Sequence, residues 1–273
     1  MKNIKCYQGD AMSFHKNLVS DSLNIGAVKD NLLKNELAIT QTYADYKDKF
    51  DNNNLFAMSA HGFDGGEDKT NLLKLYSSQR KSIIELKKEL TTNEFNQRIN
   101  DCPNCTIEKV ASLDHYIPKD EFPEFSVNPV NLIPCCSTCN SKKKENWKGD
   151  KNLLFLNLYS KTIPNSQYLF IDIESKLEYT FELRNESNID LNLFKVIESH
   201  YGKLNLLQRF KENSDGVISE LEILISSGRD AIKDDIELQK FIKSHYSKIE
   251  TRDGINNWKV VLIKAMLDSN IYF

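Results

Sequence analysis

The sequence predicts an α+β protein in which a cysteine-rich central module, 96–160, lies between mainly helical flanks, 1–95 and 161–273. Three observations carry that prediction. Five of the six cysteines fall between positions 102 and 139. Apolar residues recur at helical spacing on both sides of that stretch, and β-prone runs are confined to short segments after it. The chain has 273 residues, enough for one large domain or two smaller ones, and its 40% apolar and 27% charged residues are those of a globular protein rather than a disordered one.

In the first flank, Leu32, Leu33, Leu37, Ile39, Tyr43, Tyr46 and Phe50 trace a helical face over 27–50, which Asp51-Asn52-Asn53-Asn54 stops. His61-Gly62-Phe63-Asp64-Gly65-Gly66 is a loop by its glycines, and Leu72, Leu73, Tyr76, Ile83, Ile84 and Leu90 predict a second helix over 70–90. After the cysteines, 168–173 and 177–183 around Glu174-Ser175-Lys176 read as a hairpin. The helical period returns at Asp190, with breaks at 213–216, at Ser226-Ser227-Gly228 and at Asp253-Gly254. His15, His61, His200 and His245 stand outside any motif and are expected as surface or core residues.

No apolar run approaches the roughly 18 residues of a membrane span, and no apolar stretch follows the first lysines as a secretory leader requires. The expected location is the cytoplasm, away from membranes. The formal charge of −3 leaves no chain-wide basic surface, so contact with nucleic acid has to be a local patch.

The central module carries two matched pairs, Cys102-Pro103-Asn104-Cys105 and Cys136-Ser137-Thr138-Cys139. In a chain without a leader, clustered Cys-x-x-Cys pairs point to a metal before they point to disulfides. Four thiolates close a tetrahedral shell around Zn²⁺ and leave no position open, so this zinc is structural. Cys135 is surplus; it either competes with Cys136 as a ligand or packs as a small hydrophobe, and the spacing favours Cys136.

Around these cysteines lie Leu113-Asp114-His115-Tyr116-Ile117-Pro118, then Asn128-Pro129-Val130-Asn131-Leu132-Ile133-Pro134, then Cys139-Asn140-Ser141-Lys142-Lys143. In order and spacing, the segment 101–144 resembles the zinc-containing branch of the HNH endonuclease family. The resemblance implies a ββα-metal module, a β-hairpin and a helix gripping one divalent cation. It also implies metal-dependent hydrolysis of nucleic-acid phosphodiester bonds, with DNA favoured over RNA. By position it makes His115 the general base and Asn131 the residue that fixes the histidine's geometry. Asp114 and Asn140 become the ligands of Mg²⁺ or Mn²⁺. Asn140 is a departure, because the family usually has histidine there; an amide oxygen still binds a hard cation, but more weakly than imidazole.

The chemistry needs these residue types. A phosphodiester is cleaved when a water loses its proton and attacks phosphorus while positive charge stabilises the leaving oxygen. A neutral imidazole can take that proton, and a carboxylate suits a hard cation. Adjacent positions on a strand face opposite sides, which lets Asp114 address the metal and His115 the water. Residues 135–148 hold four lysines and one glutamate, net +3, against net −3 for 102–134, so Lys142, Lys143 and Lys144 are expected as phosphate contacts.

Further on, Leu154-Phe155-Leu156-Asn157-Leu158-Tyr159 and Tyr201-Gly202-Lys203-Leu204-Asn205 are similar to regions that follow the motif in HNH proteins of bacterial phage-defence operons. That similarity implies an antiviral defence effector working with an ATPase partner, and by analogy assigns docking or regulation to the helices of 1–95. Two alternatives stand beside it. A non-catalytic zinc module binding nucleic acid or a partner protein would have no use for Asp114 and His115 together. An RNA-cleaving toxin would use the same site.

Overall fold

Among the described residues helices dominate, and the strands form two separate two-stranded antiparallel sheets. The computed structural model describes residues 3–21, 23–93, 96–160, 163–269 and 271–273. They divide into two units. One runs from Asn3 to Asn104 and from Glu108 to the end of the cysteine region; the other comprises Ile163–Phe273, with which the short turn Cys105–Ile107 is grouped.

In the first unit, α1 (Ala11–Ser20) starts where the Asp10 carboxylate accepts from the Ser13 N–H. The face expected as one helix over 27–50 is two, α2 (Gly26–Lys34) and α3 (Glu36–Asp51), parted at Asn35. The Asn35 amide donates to the Asn31 carbonyl at 3.1 Å and to Asp68 at 2.8 Å, and Asn31 donates to the same carboxylate at 2.7 Å. A side chain that bonds its own backbone competes with the helix ladder, and the shared Asp68 fixes the bend. The stretch expected as one helix over 70–90 is also two, α4 (Gly66–Leu75) and α5 (Lys81–Leu90). Between them the Tyr76 hydroxyl donates to the Leu113 carbonyl at 3.0 Å, and buried Arg80 reaches Asn24 at 3.4 Å.

β1 (Ser112–His115) pairs antiparallel with β2 (Leu132–Cys135), Ser112 opposite Cys135 and His115 opposite Leu132. Pro134 is tolerated because a two-stranded sheet has only edges. The loop between the strands is folded into the core by 3₁₀ turns at Pro123–Phe125 and Pro129–Asn131. Phe122, Phe125 and Val127 are fully buried, and Tyr46 of α3 meets Phe125 edge-on at 4.9 Å. α6 (Ser137–Lys143) follows β2 directly.

In the second unit, β3 (Leu169–Ile173) and β4 (Tyr179–Leu183) form the expected hairpin. α7 (Leu191–Leu204) ends on Asn205 in the left-handed region, and α8 (Leu206–Glu212) starts there. The break expected at Ser226-Ser227-Gly228 does not occur: α9 (Ser214–Ala231) runs through it. Gly228 serves helix packing, because a Cβ there would lie 2.5 Å from the Leu238 Cδ1 of α10 (Asp235–Asp253). Gly254, at φ 96, closes α10 where a break was expected. The buried α11 (Trp258–Asp268) completes the unit, with Trp258 stacked on Phe210 at 5.4 Å. No helix among the described residues is long and apolar enough to cross a membrane.

Each unit buries a neutral histidine. Burial pushes His15 down to about 4 and His200 down to about 3 from the usual 6.5. The Tyr43 hydroxyl lies 3.3 Å from His15 Nδ1, as suits a neutral ring. The unfolded chain binds protons at these histidines below pH 6.5 and the folded chain does not. Their contribution is therefore complete above that value and is lost as pH falls, by up to about 1.4 kcal/mol per pH unit for each ring. Urea midpoints are expected to drop between pH 7 and pH 4.5, and His15→Gln and His200→Gln to flatten that drop. A midpoint independent of pH in this window would contradict the assignment.

Candidate functional site

Cys102, Cys105, Cys136 and Cys139 are all buried, and their sulfurs lie within 4.8 Å of one another. Backbone N–H groups approach the sulfurs, Cys139 N to Cys136 Sγ at 3.4 Å and Ile107 N to Cys105 Sγ at 3.5 Å. Soft ligands in tetrahedral number, buried and facing N–H donors, fit a structural zinc. The set takes Cys136 rather than Cys135, as the spacing favours. Cys135 ends β2 beside the cluster, where the hydrogen bonds its thiol donates to Cys102 and Cys136 push it up and Asn104 Nδ2 lies 3.5 Å from its sulfur.

Cys136 also caps α6, so the second cysteine pair sets where that helix starts and which face it turns to β1. Strand residues two apart share a face, as do helix residues three apart. Ser112 and Asp114 accordingly meet Asn140 and Lys143. Asn140 Nδ2 lies 3.2 Å from Ser112 Oγ, which leaves its Oδ1 available to a cation, and Lys143 Nζ lies 3.3 Å from Asp114 Oδ2. Burial pushes the Asp114 carboxyl up to about 6, against the pull of Lys143 and of the His115 N–H.

His115 turns to the other face. Its Nε2 donates to the Ser126 carbonyl at 2.8 Å, and the edge of Tyr76 packs against the ring at 4.7 Å. Burial pushes the imidazole down to about 3, so the ring is neutral, with its proton on Nε2 and a lone pair on Nδ1. Ser126 is itself held by its hydroxyl, which donates to the Leu72 carbonyl at 2.8 Å.

Asn131 is fully buried. Its amide closes a two-way clasp on Ile117, Oδ1 accepting from the backbone N–H at 2.8 Å and Nδ2 donating to the carbonyl at 2.9 Å. Its own carbonyl accepts from Tyr116 N at 2.8 Å, so the chain just after His115 is fixed on both sides. Asn131→Ala leaves a buried N–H and a buried C=O without partners and is expected to cost about 3 kcal/mol in urea unfolding. A loss below about 1 kcal/mol would mean the clasp carries little.

Of the three lysines expected on phosphates, Lys142 and Lys144 are exposed, whereas Lys143 is buried. Its ammonium is turned inward because it also donates to the His115 carbonyl at 2.7 Å. Tyr76, Ser126 and His61 join the surroundings of the site without any sequence signal. His61 bridges Glu124 at 2.7 Å and Asp45 at 3.2 Å, tying the loop before Ser126 to α3.

The chain is 46% identical over 44 residues to protein ea31 of Escherichia phage lambda, which is 16% of this chain and 15% of that protein. It is 46% identical over 35 residues to the Septu protein PtuB of Bacillus thuringiensis, 13% of this chain and 14% of the relative. Each likeness is confined to a short segment of both proteins. No family model matches the chain, and no solved structure matches it.

Proposed function

We propose that the chain is a metal-dependent HNH-type endonuclease that hydrolyses phosphodiester bonds of nucleic acid, DNA first, beside a structural zinc. The observation that carries this reading is a buried carboxylate and a neutral imidazole, Asp114 and His115, side by side on β1 under the helix that starts from the second cysteine pair. His115 is the general base. Its Nε2–H is spent on Ser126, so Nδ1 takes the proton of the attacking water, and the negative charge of an incoming phosphate raises the proton affinity of the ring.

Asp114 and Asn140 would hold Mg²⁺ or Mn²⁺; one carboxylate and one amide suit a hard cation that keeps waters and takes a phosphate oxygen. When bound, that ion stabilises the charge building on the leaving oxygen. Asn131 keeps the turn after His115 in place, and Lys142 and Lys144 neutralise flanking phosphates without reading sequence. We assign the protein to antiviral defence with an ATPase partner. The resemblance of 154–159 and 201–205 to HNH proteins of defence operons supports this, as does the short similarity to a Septu protein.

The test is incubation of the zinc-loaded protein with plasmid DNA and total RNA, with and without Mn²⁺. Plasmid cutting is expected with Mn²⁺, to vanish after a brief EDTA wash that leaves the zinc in place, and to return on adding Mn²⁺. Undiminished cleavage in EDTA sinks the metal-dependent mechanism. Nucleic-acid binding with no cleavage favours the non-catalytic zinc module, and RNA cut with DNA spared favours the toxin.

A further inference from the structure

We infer that Lys143 is a positioning residue of the cation site, holding the two ligating elements in register, rather than a phosphate contact. The inference rests on the nuclease reading for the identity of the ligands, Asp114 and Asn140. Its ground is the placement of one ammonium. Lys143 is the last residue of α6, its side chain is 7% exposed, and its Nζ makes two bonds to consecutive residues of β1, 2.7 Å to the His115 carbonyl and 3.3 Å to Asp114 Oδ2.

Its Nζ lies over the Phe155 ring, 5.9 Å from the centroid. A side chain anchored at two points and covered by an aromatic ring is not available to reach a phosphate in solvent. It can do two other things. It fixes the orientation of the Asp114 carboxylate, which also accepts from the His115 N–H. It also ties the C-terminal end of α6 to β1 one helical turn after Asn140, whose Nδ2 is tied to Ser112. The separation of the two ligands is thus set by one bond at each end of a single turn. The bond to the His115 carbonyl extends the same control to the backbone that carries the base.

The experiment measures Mn²⁺ binding directly, by electron paramagnetic resonance, on the full zinc-loaded chain. Lys143→Met is expected to weaken Mn²⁺ binding about 10–100-fold, the usual cost of losing a group that orients a metal ligand, while zinc content stays unchanged. Lys143→Arg is expected to recover part of the loss. The slope of DNA affinity against salt should stay at the parent value in Lys143→Met and shrink by about one in Lys144→Ala.

A second measurement needs no variant. Acetylation of the parent protein, read by mass spectrometry, should leave Lys143 unmodified with or without DNA. Lys142 and Lys144 should react freely and become protected when DNA is added. Mn²⁺ binding in Lys143→Met equal to the parent overturns the inference, and so does a Lys143 that reacts like its neighbours in the free protein. Should Lys143→Met not fold, the acetylation pattern decides alone. Asp114→Asn separates the two levels. If it binds Mn²⁺ as tightly as the parent, the cation site itself is misassigned; if it loses Mn²⁺ while Lys143→Met does not, only the role of Lys143 falls.

Discussion

His115→Ala is expected to slow phosphodiester cleavage by about 10²–10⁴-fold, the usual worth of a general base, while nucleic-acid binding and zinc content persist. The variant removes the Nδ1 lone pair and the bond to Ser126 and leaves the four cysteines, Asp114 and α6 untouched. The loss should fall on the rate of bound substrate and not on its affinity, because the proton is transferred only in the transition state. Asn140→His sharpens the same experiment. If Asn140 faces the cation, the histidine restores the commoner ligand, activity persists and Mn²⁺ or Ni²⁺ binds more tightly. Cleavage by His115→Ala within a few-fold of the parent would remove His115 from the mechanism. Identical metal preference in Asn140→His, Asn140→Ala and the parent would reduce Asn140 to a helix residue bonded to Ser112.

The second large effect concerns the zinc. Metal analysis is expected to find about one tightly held zinc per chain, and Cys102→Ser or Cys139→Ser to lose it together with the native near-ultraviolet signal. In small zinc modules, binding energy of roughly 10–16 kcal/mol is folding energy. Here the loss should propagate to catalysis, because Cys136 and Cys139 set the first turn of α6 and that helix brings Asn140 and Lys143 to β1. Cys135→Ser is the control. Its sulfur lies outside the converging four, so it should keep both zinc and fold. A parent protein that contains no zinc, or a Cys135→Ser variant that loses it while Cys136→Ser does not, would reverse the ligand assignment.

Part of this site is legible in the sequence because its determinants are local. Two thiolates three residues apart can wrap one metal whatever surrounds them, and the gathering of the four cysteines follows from their spacing. The hairpin of β3 and β4 is legible for the same reason, as two β-prone runs around a short polar turn. The interior of the helical flanks is not. Asn35 ends α2 through a carboxylate at position 68, and the chain leaves the helix at Tyr76 with its hydroxyl on a carbonyl at position 113. A helical period carries no record of such distant partners. Gly228 reads as a breaker because glycine is flexible, yet α9 continues through it, since the missing Cβ is what lets Leu238 approach.

The sequence by itself determined the four-thiolate set, the adjacency of Asp114 and His115, and the preference for Cys136 over Cys135. All three depend on spacing along the chain or on the alternation of a strand. Tertiary structure decided which way each polar group faces. It packed the half-buried His115 ring against Tyr76 and set its proton on Nε2 through Ser126, closed Asn131 on Ile117, and turned Lys143 inward while leaving Lys142 and Lys144 outside. The physical reason is that a buried hydrogen-bonding group must find a partner wherever the packed core offers one. For Lys143 that partner is a carbonyl on β1, which lies 28 residues away in the chain.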